Sequence, residues 1–292
     1  MSEAMTTLNT AASGTLTLGD DLTINRLGYG AMRITGRGIW GEPKNPEETR
    51  KVLRRAAELG VNFIDTADAY GPKVSERLIA EALYPYEKGL VIATKGGLTR
   101  PGPGRWVPNG RADYLRQCVE LSLRRLRLEC IDLYQLHRID PKVPVEESLG
   151  ALKDLQKAGK IRHIGLSEVS VAEIERAKQT VRIVSVQNLY NLTNRKHEAV
   201  LNYSEEHKLA FIPWSPVADG GLARPGGLLD KWARRHGSTV AQLSLAWLLH
   251  RSPVMVPIPG TSSVVHLEEN VGAASVQLSA DEWAVIERAV KV

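Results

Sequence analysis

Four side chains stand where they could act together on a carbonyl group. In the stretch NFIDTADAY (62–70), Asp65 ends an apolar run and Tyr70 follows on the next loop; Lys95 ends the run LVIAT and His137 ends IDLYQL. A carboxylate keeps a buried ammonium charged, and the ammonium would lower the pKa of a nearby tyrosine by stabilising tyrosinate. Such a phenol can protonate a developing alkoxide while the imidazole orients the carbonyl. Because the group contains an acid and no nucleophile, it suits carbonyl reduction with hydride from a bound nicotinamide.

Each of these residues also has a purely structural interpretation. Asp65 could cap the segment that follows its strand, Tyr70 could anchor its loop, and His137 could be a hydrogen-bonded core histidine. Lys95 is harder to explain in this way, because an ammonium at the end of a buried strand requires a partner charge, which Asp65 can supply. The convergence of all four residues on one site favours the catalytic interpretation.

The elements that must position these residues alternate between short apolar runs and amphipathic helical patterns. Period-2 alternation in TLTLGDDLTIN (15–25) predicts a leading hairpin. Between the first two later strands, PEETRKVLRRAAELG has Pro46 near its start and Gly60 past its end, as helices do. The eight candidate strands lie at residues 27–31, 61–65, 90–95, 131–137, 163–166, 183–187, 210–213 and 255–258.

Eight strand–helix units without a break in composition predict an α/β fold, a parallel (β/α)8 barrel capped by the hairpin. Functional residues of such barrels lie at the carboxyl ends of the strands, so neighbouring strands would bring Asp65, Lys95 and His137 together. The alternative is a doubly wound open sheet. That fold normally carries a Gly-rich phosphate turn after its first strand, and LGYGAMRITG does not match G-x-G-x-x-G.

The composition is that of a globular protein with a sizeable core. Of the 292 residues, 43% are apolar and 24% are charged, and no run of about eighteen apolar residues that could span a membrane occurs. The Ser/Thr/Ala-rich start lacks the features of a secretory signal, so we expect a flexible leader over residues 1–14 and one domain over 15–292. Cys118 and Cys130 are the only cysteines, and without ligand spacing they predict a cytoplasmic protein with no metal site.

The formal net charge of +5 raises the question of a nucleic-acid partner. The basic residues cluster in RKVLRR (50–55), RRLR (124–127) and KWARR (231–235), at helical spacing beside apolar residues. This pattern is typical of solvated helix faces, and no basic stripe with interleaved aromatics accompanies it. We therefore expect a small-molecule partner, neither nucleic acid nor membrane, and an anionic one would explain the positive charge.

Beyond these residues, the sequence resembles the aldo-keto reductase superfamily over essentially the whole chain, from the hairpin to residue 275. The family's motifs occur in the family's order: GVNFIDTADAYG, the lysine of IATKGG, IDLYQLHRID, GKIRHIGLSEVS, SVQNLYN, FIPWSP and IPGTSSVVHLEEN. NRLGYGAM, EALYPY and LLHRSP resemble the branch that includes bacterial pyridoxal reductases. The resemblance implies a catalytic tetrad of Asp65, Tyr70, Lys95 and His137, with Tyr70 as proton donor. It also implies NADPH bound in an extended form without a Rossmann domain, consistent with the missing glycine motif.

The resemblance further implies a set of cofactor-binding residues. Ser167 and Gln187 are similar to the residues that hold the nicotinamide carboxamide. Trp214 stands where the family stacks an aromatic ring on the nicotinamide, although it could instead be a core tryptophan. Residues 215–222 would line the pyrophosphate, and 260–270 would grip the adenosine end. The remaining members of the implied site are Met32, Asp65, Ser215, Pro216, Leu222, Gly260, Thr261, Ser262, Ser263, His266, Glu269 and Asn270.

Two departures from the family pattern concern the cofactor. Glu168 sits where many members have asparagine, so its contact with the carboxamide is left open. Gly260 and His266 occupy positions where many NADPH-preferring members have lysine and arginine. These replacements weaken the expected selectivity for the 2′-phosphate, and NADH stays open as a second cofactor.

The resemblance predicts an NADPH-dependent reductase of aldehydes or ketones and leaves the exact substrate and the oligomeric state open. Two loops, 96–113 with Trp106 and 35–43 with Trp40, would overhang the barrel mouth as substrate-pocket walls, although either tryptophan could merely pin its loop. Pyridoxal, another aromatic aldehyde or a bulky cyclic ketone would fit such walls. One alternative is a regulatory channel subunit that binds nicotinamide with little turnover, against which the complete tetrad counts. A barrel hydrolase or lyase is another, and it would bind no nicotinamide.

Overall fold

The computed structural model describes residues 8–218 and 228–290, which are built around a curled sheet of seven parallel strands. In chain order the strands are β1 (Thr15–Leu18), β2 (Leu22–Asn25), β3 (Tyr29–Gly30), β4 (Phe63–Asp65), β5 (Val91–Gly96), β6 (Leu98–Gly102), β7 (Arg105–Pro108), β8 (Ile131–Leu136), β9 (Ile161–Ser167), β10 (Ile183–Leu189) and β11 (Ala210–Trp214). The central sheet has the order β11-β10-β9-β8-β5-β4-β3, so each strand lies beside the next central strand along the chain.

The predicted eighth strand, 255–258, closes the barrel without forming a regular ladder. On one side the Phe211 backbone N–H donates to the Val254 carbonyl at 2.9 Å. On the other, the backbone N–H groups of Gly28 and Gly30 donate to the carbonyls of Pro257 and Pro259, at 3.0 and 3.3 Å. A proline has no N–H to return a ladder hydrogen bond, so this segment can only accept from β3. The predicted (β/α)8 barrel is confirmed, with its last strand present as an irregular connection.

The hairpin of β1 and β2 closes the amino-terminal end of the barrel, as predicted. Its residues Leu18, Leu22 and Ile24 are buried in one apolar cluster with inward-facing strand residues such as Phe63 and Leu133. An apolar plug at this end leaves the carboxyl ends of the strands as the open mouth. The barrel is therefore a packed core with one accessible end.

Helices surround the sheet and bury their apolar faces against it. Helix α1 shows why the local sequence forms this element: Asn45 accepts a hydrogen bond from the Glu48 backbone N–H at 3.2 Å, Pro46 is the first helical residue, and Val52 and Leu53 are fully buried. The helices are α1 (Pro46–Glu58), α2 (Val74–Leu83), α3 (Ala112–Leu126), α4 (Val145–Lys157), α5 (Val171–Lys178), α6 (Glu198–Glu206), α7 (Leu228–Arg235), α8 (Val240–Arg251), α9 (Val264–Gly272) and α10 (Ala280–Val290).

Part of the segment expected to be a flexible leader is ordered, which corrects the prediction for residues 8–14. Residues Thr10–Ser13 form a 3-10 helix that Asn9 caps by accepting from the Ala11 backbone N–H. The Thr10 side chain is fully buried, and its backbone N–H donates to the Leu59 carbonyl at 2.9 Å. These hydrogen bonds tie the segment to the end of α1. Residues 1–7 lie outside the described part of the chain.

The long loop 96–113 contains a second hairpin, β6 and β7, at the barrel mouth. Its pairing shifts register between Thr99 and Gly102, on either side of Pro101, which has no N–H to give to the ladder. The prediction that this loop overhangs the mouth is confirmed, since Leu98, Trp106 and Pro108 line the pocket there. None of the helices in the described residues has the length and apolar character that crossing a membrane requires.

Candidate active site

The ammonium of Lys95 is the centre of the polar group at the barrel mouth. It lies 2.6 Å from Asp65 Oδ1 and 2.8 Å from the Thr66 carbonyl, and both Asp65 and Lys95 are buried. Its third contact is the phenol oxygen of Tyr70 at 3.2 Å. An ammonium has three donors and no acceptor, so all three are used here, and the Tyr70 oxygen must accept. The phenol hydrogen is therefore left to donate elsewhere.

The other carboxylate oxygen of Asp65 accepts from two buried glutamines. The amide nitrogens of Gln135 and Gln187 each lie 2.9 Å from Asp65 Oδ2. The Gln187 amide nitrogen also lies 3.3 Å from Gln135 Oε1. Strands β4, β8 and β10 thus meet at one carboxylate, and these donors together with Lys95 compensate its burial.

Tyr70 and His137 face one another across the base of the pocket, with ring centroids 5.8 Å apart and nearly perpendicular planes. Burial raises the pKa of Tyr70, and the neighbouring Lys95 charge only partly opposes this effect. The expectation that Lys95 would bring this pKa below its ordinary value is wrong, because desolvation of the tyrosinate is the larger effect. Burial also holds the pKa of His137 well below its ordinary value, and the charge of Lys95 adds to the lowering. His137 is therefore a neutral imidazole beside a protonated phenol.

A pocket of about 620 Å³ opens above these two rings. Most of the predicted site residues line it, in a wall that includes three of the four tetrad residues but not Lys95. Trp106 lies above Tyr70 and His137, with ring centroids 6.3 Å from each. The predicted residues that the pocket brings together are Met32, Asp65, Tyr70, Trp106, His137, Ser167, Gln187, Trp214, Ser215, Pro216 and Gly260.

The hydrogen bonds at one side of the pocket leave one donor and one acceptor for a primary amide. Arg138 donates from Nη1 to Ser167 Oγ at 2.9 Å and to the His137 carbonyl at 2.6 Å. Because a guanidinium can only donate, the Ser167 oxygen accepts and its own hydrogen is left to donate. The Gln187 amide nitrogen is engaged with Asp65, so its carbonyl oxygen is the group left to accept. A carboxamide fits this pair of groups.

Trp214 is held at its outer edge by Glu168. The indole Nε1 donates to Glu168 Oε1 at 2.7 Å, and the same oxygen accepts from the Leu189 backbone N–H at 2.6 Å. Glu168 has a left-handed backbone conformation, with φ 54°, which is uncommon for a non-glycine residue. This oxygen of Glu168 therefore fixes the position of the tryptophan ring, which lines the pocket together with Ser167 and Gln187.

The segment that follows Gly260 leads from the pocket to the start of α9. A Cβ on Gly260 would stand 2.6 Å from the Gly30 carbonyl oxygen, so only glycine allows this close approach of the two chain segments. Ser263 caps α9 through its backbone position, and its N–H donates to Thr261 Oγ1 at 3.1 Å. Ser262 and His266 are exposed near this helix start, where backbone N–H groups favour an anion. Two predicted residues, Glu269 and Asn270, lie later in α9, outside the pocket lining.

Trp40 is absent from the described lining and lies instead against the guanidinium of Arg100, 5.5 Å from it. This contact with Arg100 fits the alternative interpretation, in which Trp40 pins its loop. Leu222 lies outside the described residues.

Among the residues at the site that the sequence analysis did not identify are Gln135, Arg138 and Arg100. A signal existed for Gln135, since it lies two residues before His137 in an apolar strand and so shares the inward face. Arg138 follows His137 directly, and its position at the strand end was the available signal. Arg100 has no comparable signal, because its partners are carbonyls from distant loops.

Comparisons with known proteins agree with this geometry. The model of a family described as the aldo/keto reductase family matches residues 26–291. An uncharacterized oxidoreductase of Schizosaccharomyces pombe is 54% identical over 284 residues, covering 97% of this chain and 92% of that protein. Pyridoxine 4-dehydrogenase of Escherichia coli is 39% identical over 282 residues, covering 94% of this chain and 98% of that protein.

Solved structures give the same result. An aldo-keto reductase from Klebsiella pneumoniae in complex with NADPH is 26% identical, with a TM-score of 0.80 and 94% of each chain covered. The glycerol dehydrogenase of Gluconobacter oxydans is also 26% identical, with a TM-score of 0.85, covering 96% of this chain and 95% of that one. The similarity extends over nearly the whole barrel in each case.

Proposed function

We propose that this chain, which belongs to the aldo/keto reductase family, reduces aldehydes or ketones to alcohols with Tyr70 as the proton donor. It is an NADPH-dependent oxidoreductase acting on carbonyl compounds, as its family and its NADPH-bound structural neighbour support. The observation that carries the assignment of Tyr70 is its contact with Lys95. Because Lys95 occupies an acceptor position on the phenol oxygen, the phenol hydrogen can be directed into the pocket.

The roles of the other three tetrad residues follow from their contacts. Asp65 keeps Lys95 charged, and Lys95 stabilises the negative charge that develops on the Tyr70 oxygen as its proton leaves. The neutral imidazole of His137 orients the carbonyl oxygen toward Tyr70 by hydrogen bonding. NADPH supplies hydride when it is bound, and these residues supply the proton and the electrostatic support. All four side chains are buried, which limits their contact with bulk water.

The cofactor site is proposed on the same wall of the pocket. Ser167 would donate to the carboxamide oxygen of the nicotinamide, Gln187 would accept from its amide nitrogen, and Trp214 would stack on the ring. Met32, Gly260 and the segment from Ser215 would continue the site away from the tetrad. The start of α9 with Ser262, Ser263 and His266 would hold the adenosine end, with NADPH preferred and NADH retained as an alternative.

We further propose an aromatic or heteroaromatic aldehyde as the substrate class, with pyridoxal as the first compound to test. The lining supports this choice, since Trp106, Leu98 and Pro108 form an apolar wall beside Tyr70 and His137. The relative named pyridoxine 4-dehydrogenase, at 39% identity, supports it as well. We also propose that residues 15–292 act as one domain in the cytoplasm, where the two free thiols Cys118 and Cys130 would stay reduced.

The test is Tyr70→Phe, which removes the hydroxyl and keeps the ring. We expect NADPH oxidation with pyridoxal to fall about 10²- to 10⁴-fold, as for loss of a general acid, with NADPH affinity changed less than about twofold. Tyr84→Phe is the matched control, because Tyr84 is 49% exposed and remote from the pocket, and it should keep wild-type activity. Substantial activity in folded Tyr70→Phe would remove the acid role from this residue. NADPH binding by the wild type without turnover of any carbonyl in a broad panel would instead favour the regulatory-subunit alternative.

A further inference from the structure

Arg100 holds together the loops that surround the pocket mouth. It lies in β6, and its guanidinium donates to carbonyls of three separate segments. Nη1 lies 3.0 Å from the Ile39 carbonyl and 2.7 Å from the Ala69 carbonyl, which belongs to the loop that carries Tyr70. Nη2 lies 3.2 Å from the Gly38 carbonyl, and Nε lies 2.9 Å from the Arg105 carbonyl on β7. One side chain thus joins the 35–43 loop, the hairpin and the Tyr70 loop.

The same guanidinium packs on Trp106, which forms part of the pocket wall, and on Trp40, which does not line the pocket. Its central carbon lies 3.5 Å from the ring centroid of Trp106 and 5.5 Å from that of Trp40. An arginine at 3.5 Å is in stacking contact, which fixes the plane and depth of the indole as well as contributing a cation–π attraction. Trp106 in turn lies edge-on to Tyr70 and His137. The position of this wall above the reacting groups therefore depends on Arg100.

We call the contacts of Arg100 with these loops and with Trp106 the Arg100 clamp. The backbone of one of the clamped loops is strained. Ile39, whose carbonyl accepts from Arg100, has a φ of 55°, a left-handed conformation that is unfavourable for a β-branched residue. Its carbonyl also accepts from the Gly71 backbone N–H at 3.3 Å. Such a conformation persists only where surrounding contacts hold it. Ile39 itself lines the pocket, so releasing this loop would alter the pocket shape directly.

We propose that Arg100 determines substrate specificity by holding Trp106 and the Ile39 loop at the distance from Tyr70 and His137 that fits a flat, bulky carbonyl compound. It touches none of the reacting groups, so it acts as a positioning residue. Aromatic aldehydes, which fill the space under the Trp106 ring, depend on this clamp, and small aliphatic aldehydes do not. This proposal rests on the proposed function, because it assumes that the carbonyl is reduced beneath Trp106.

The experiment compares two substrates in two variants and a matched control. Arg100→Met keeps a long side chain and loses every donor and the charge, whereas Arg100→Lys keeps the charge and loses the planar fork. Arg105→Met is the control, because Arg105 is on the same hairpin and is exposed. Steady-state constants are measured with benzaldehyde and with propanal, together with NADPH affinity. Emission anisotropy of Trp106 is obtained as the difference between each protein and its Trp106→Phe counterpart.

In Arg100→Met we expect KM for benzaldehyde to rise about tenfold, with kcat changed less than about threefold and with NADPH affinity and propanal kinetics near wild type. The KM of Arg100→Lys for benzaldehyde should lie between those of the wild type and Arg100→Met, and the KM of Arg105→Met should match that of the wild type. Trp106 anisotropy should fall most in Arg100→Met, less in Arg100→Lys and not at all in Arg105→Met. Equal losses for both aldehydes, or no loss for benzaldehyde, would overturn the specificity role.

A wild type that reduces neither aldehyde nor any other carbonyl would count against the proposed function. The anisotropy comparison would still test in that case whether Arg100 holds Trp106 in place. Unchanged Trp106 mobility in folded Arg100→Met would refute it.

Discussion

Glu168 should govern NADPH binding through Trp214, and its removal gives the most specific test of the cofactor site. The indole Nε1 donates to Glu168 Oε1 at 2.7 Å, and Lys196 Nζ and His197 Nε2 each lie 3.7 Å from Oε2. Burial would raise the pKa of Glu168, but the Leu189 and Trp214 N–H groups and the Arg138 charge outweigh it and hold the pKa below its ordinary value. The acceptor is therefore an ionised carboxylate at neutral pH.

The size of the effect follows from the kind of hydrogen bond and its exposure. A hydrogen bond to a charged group contributes about 1.5–3 kcal/mol. Because both side chains are only partly buried, we take the lower end of this range and discount it to roughly 1 kcal/mol, which is about fivefold in affinity. We expect Glu168→Ala to weaken NADPH binding by this factor and to reduce the quenching of tryptophan emission by NADPH. Glu168→Gln, which keeps an acceptor, should change affinity less than about threefold.

A double-mutant cycle with Trp214→Phe separates this contact from the other bonds of Glu168. The phenylalanine keeps an aromatic face and lacks the indole N–H, whereas the bond from the Leu189 backbone N–H is lost equally in both backgrounds. Glu168→Ala should therefore weaken NADPH binding less in the Trp214→Phe background than in the wild type. If the two effects add to within about 0.5 kcal/mol, Glu168 does not act through Trp214 and the reasoning fails.

Two further predictions use the pKa shifts of buried groups. Burial, with a contribution from the Glu76 carboxylate, raises the pKa of Asp68 from 3.8 to about 7, so stability should fall as pH rises through this range, by about 4 kcal/mol at most. Asp68→Asn should therefore be more stable than wild type to denaturant above pH 7 and equal to it near pH 4; a difference independent of pH would contradict the shift. The pKa of His137 is lowered and that of Tyr70 is raised. The pH profile of kcat/KM for reduction should therefore show no change due to either group between about pH 6.5 and 9. An acidic limb near pH 6.5 that disappears in His137→Gln would show that the imidazole titrates.

The positions of three tetrad residues were predictable because a parallel barrel leaves few places for them. A polar residue that ends an apolar strand must lie at the mouth, and sequential strands are neighbours, so Asp65, Lys95 and His137 had to converge. The contact between Lys95 and Asp65 followed from the cost of burying an unpaired ammonium. Gln135 could have been found by the same logic, since Asp65 has a second oxygen that needs donors when buried.

Other features could not be predicted because they depend on backbone groups far apart in sequence. The eighth strand is an apolar run in the sequence, which predicts a regular strand. Its pairing, however, depends on which N–H groups face its neighbours, and Pro257 and Pro259 have no N–H group. Arg100 looks like a solvated hairpin residue, and only the folded chain shows the carbonyls of Ile39 and Ala69 beside it. Local patterns carry no information about such contacts until the loops are placed.

The pKa of Tyr70 shows why even a correct list of neighbours can give the wrong sign. Sequence placed Lys95 beside the phenol, and that contact is present at 3.2 Å. Depth of burial was not available, and it is the larger effect on this group. A raised pKa keeps the proton on Tyr70 at neutral pH, which is the form that an acid for carbonyl reduction requires. Lys95 still acts in the expected direction, and its contribution matters most when the proton leaves and negative charge develops on the phenol oxygen. The error in sign therefore leaves the proposed role of Tyr70 as proton donor intact.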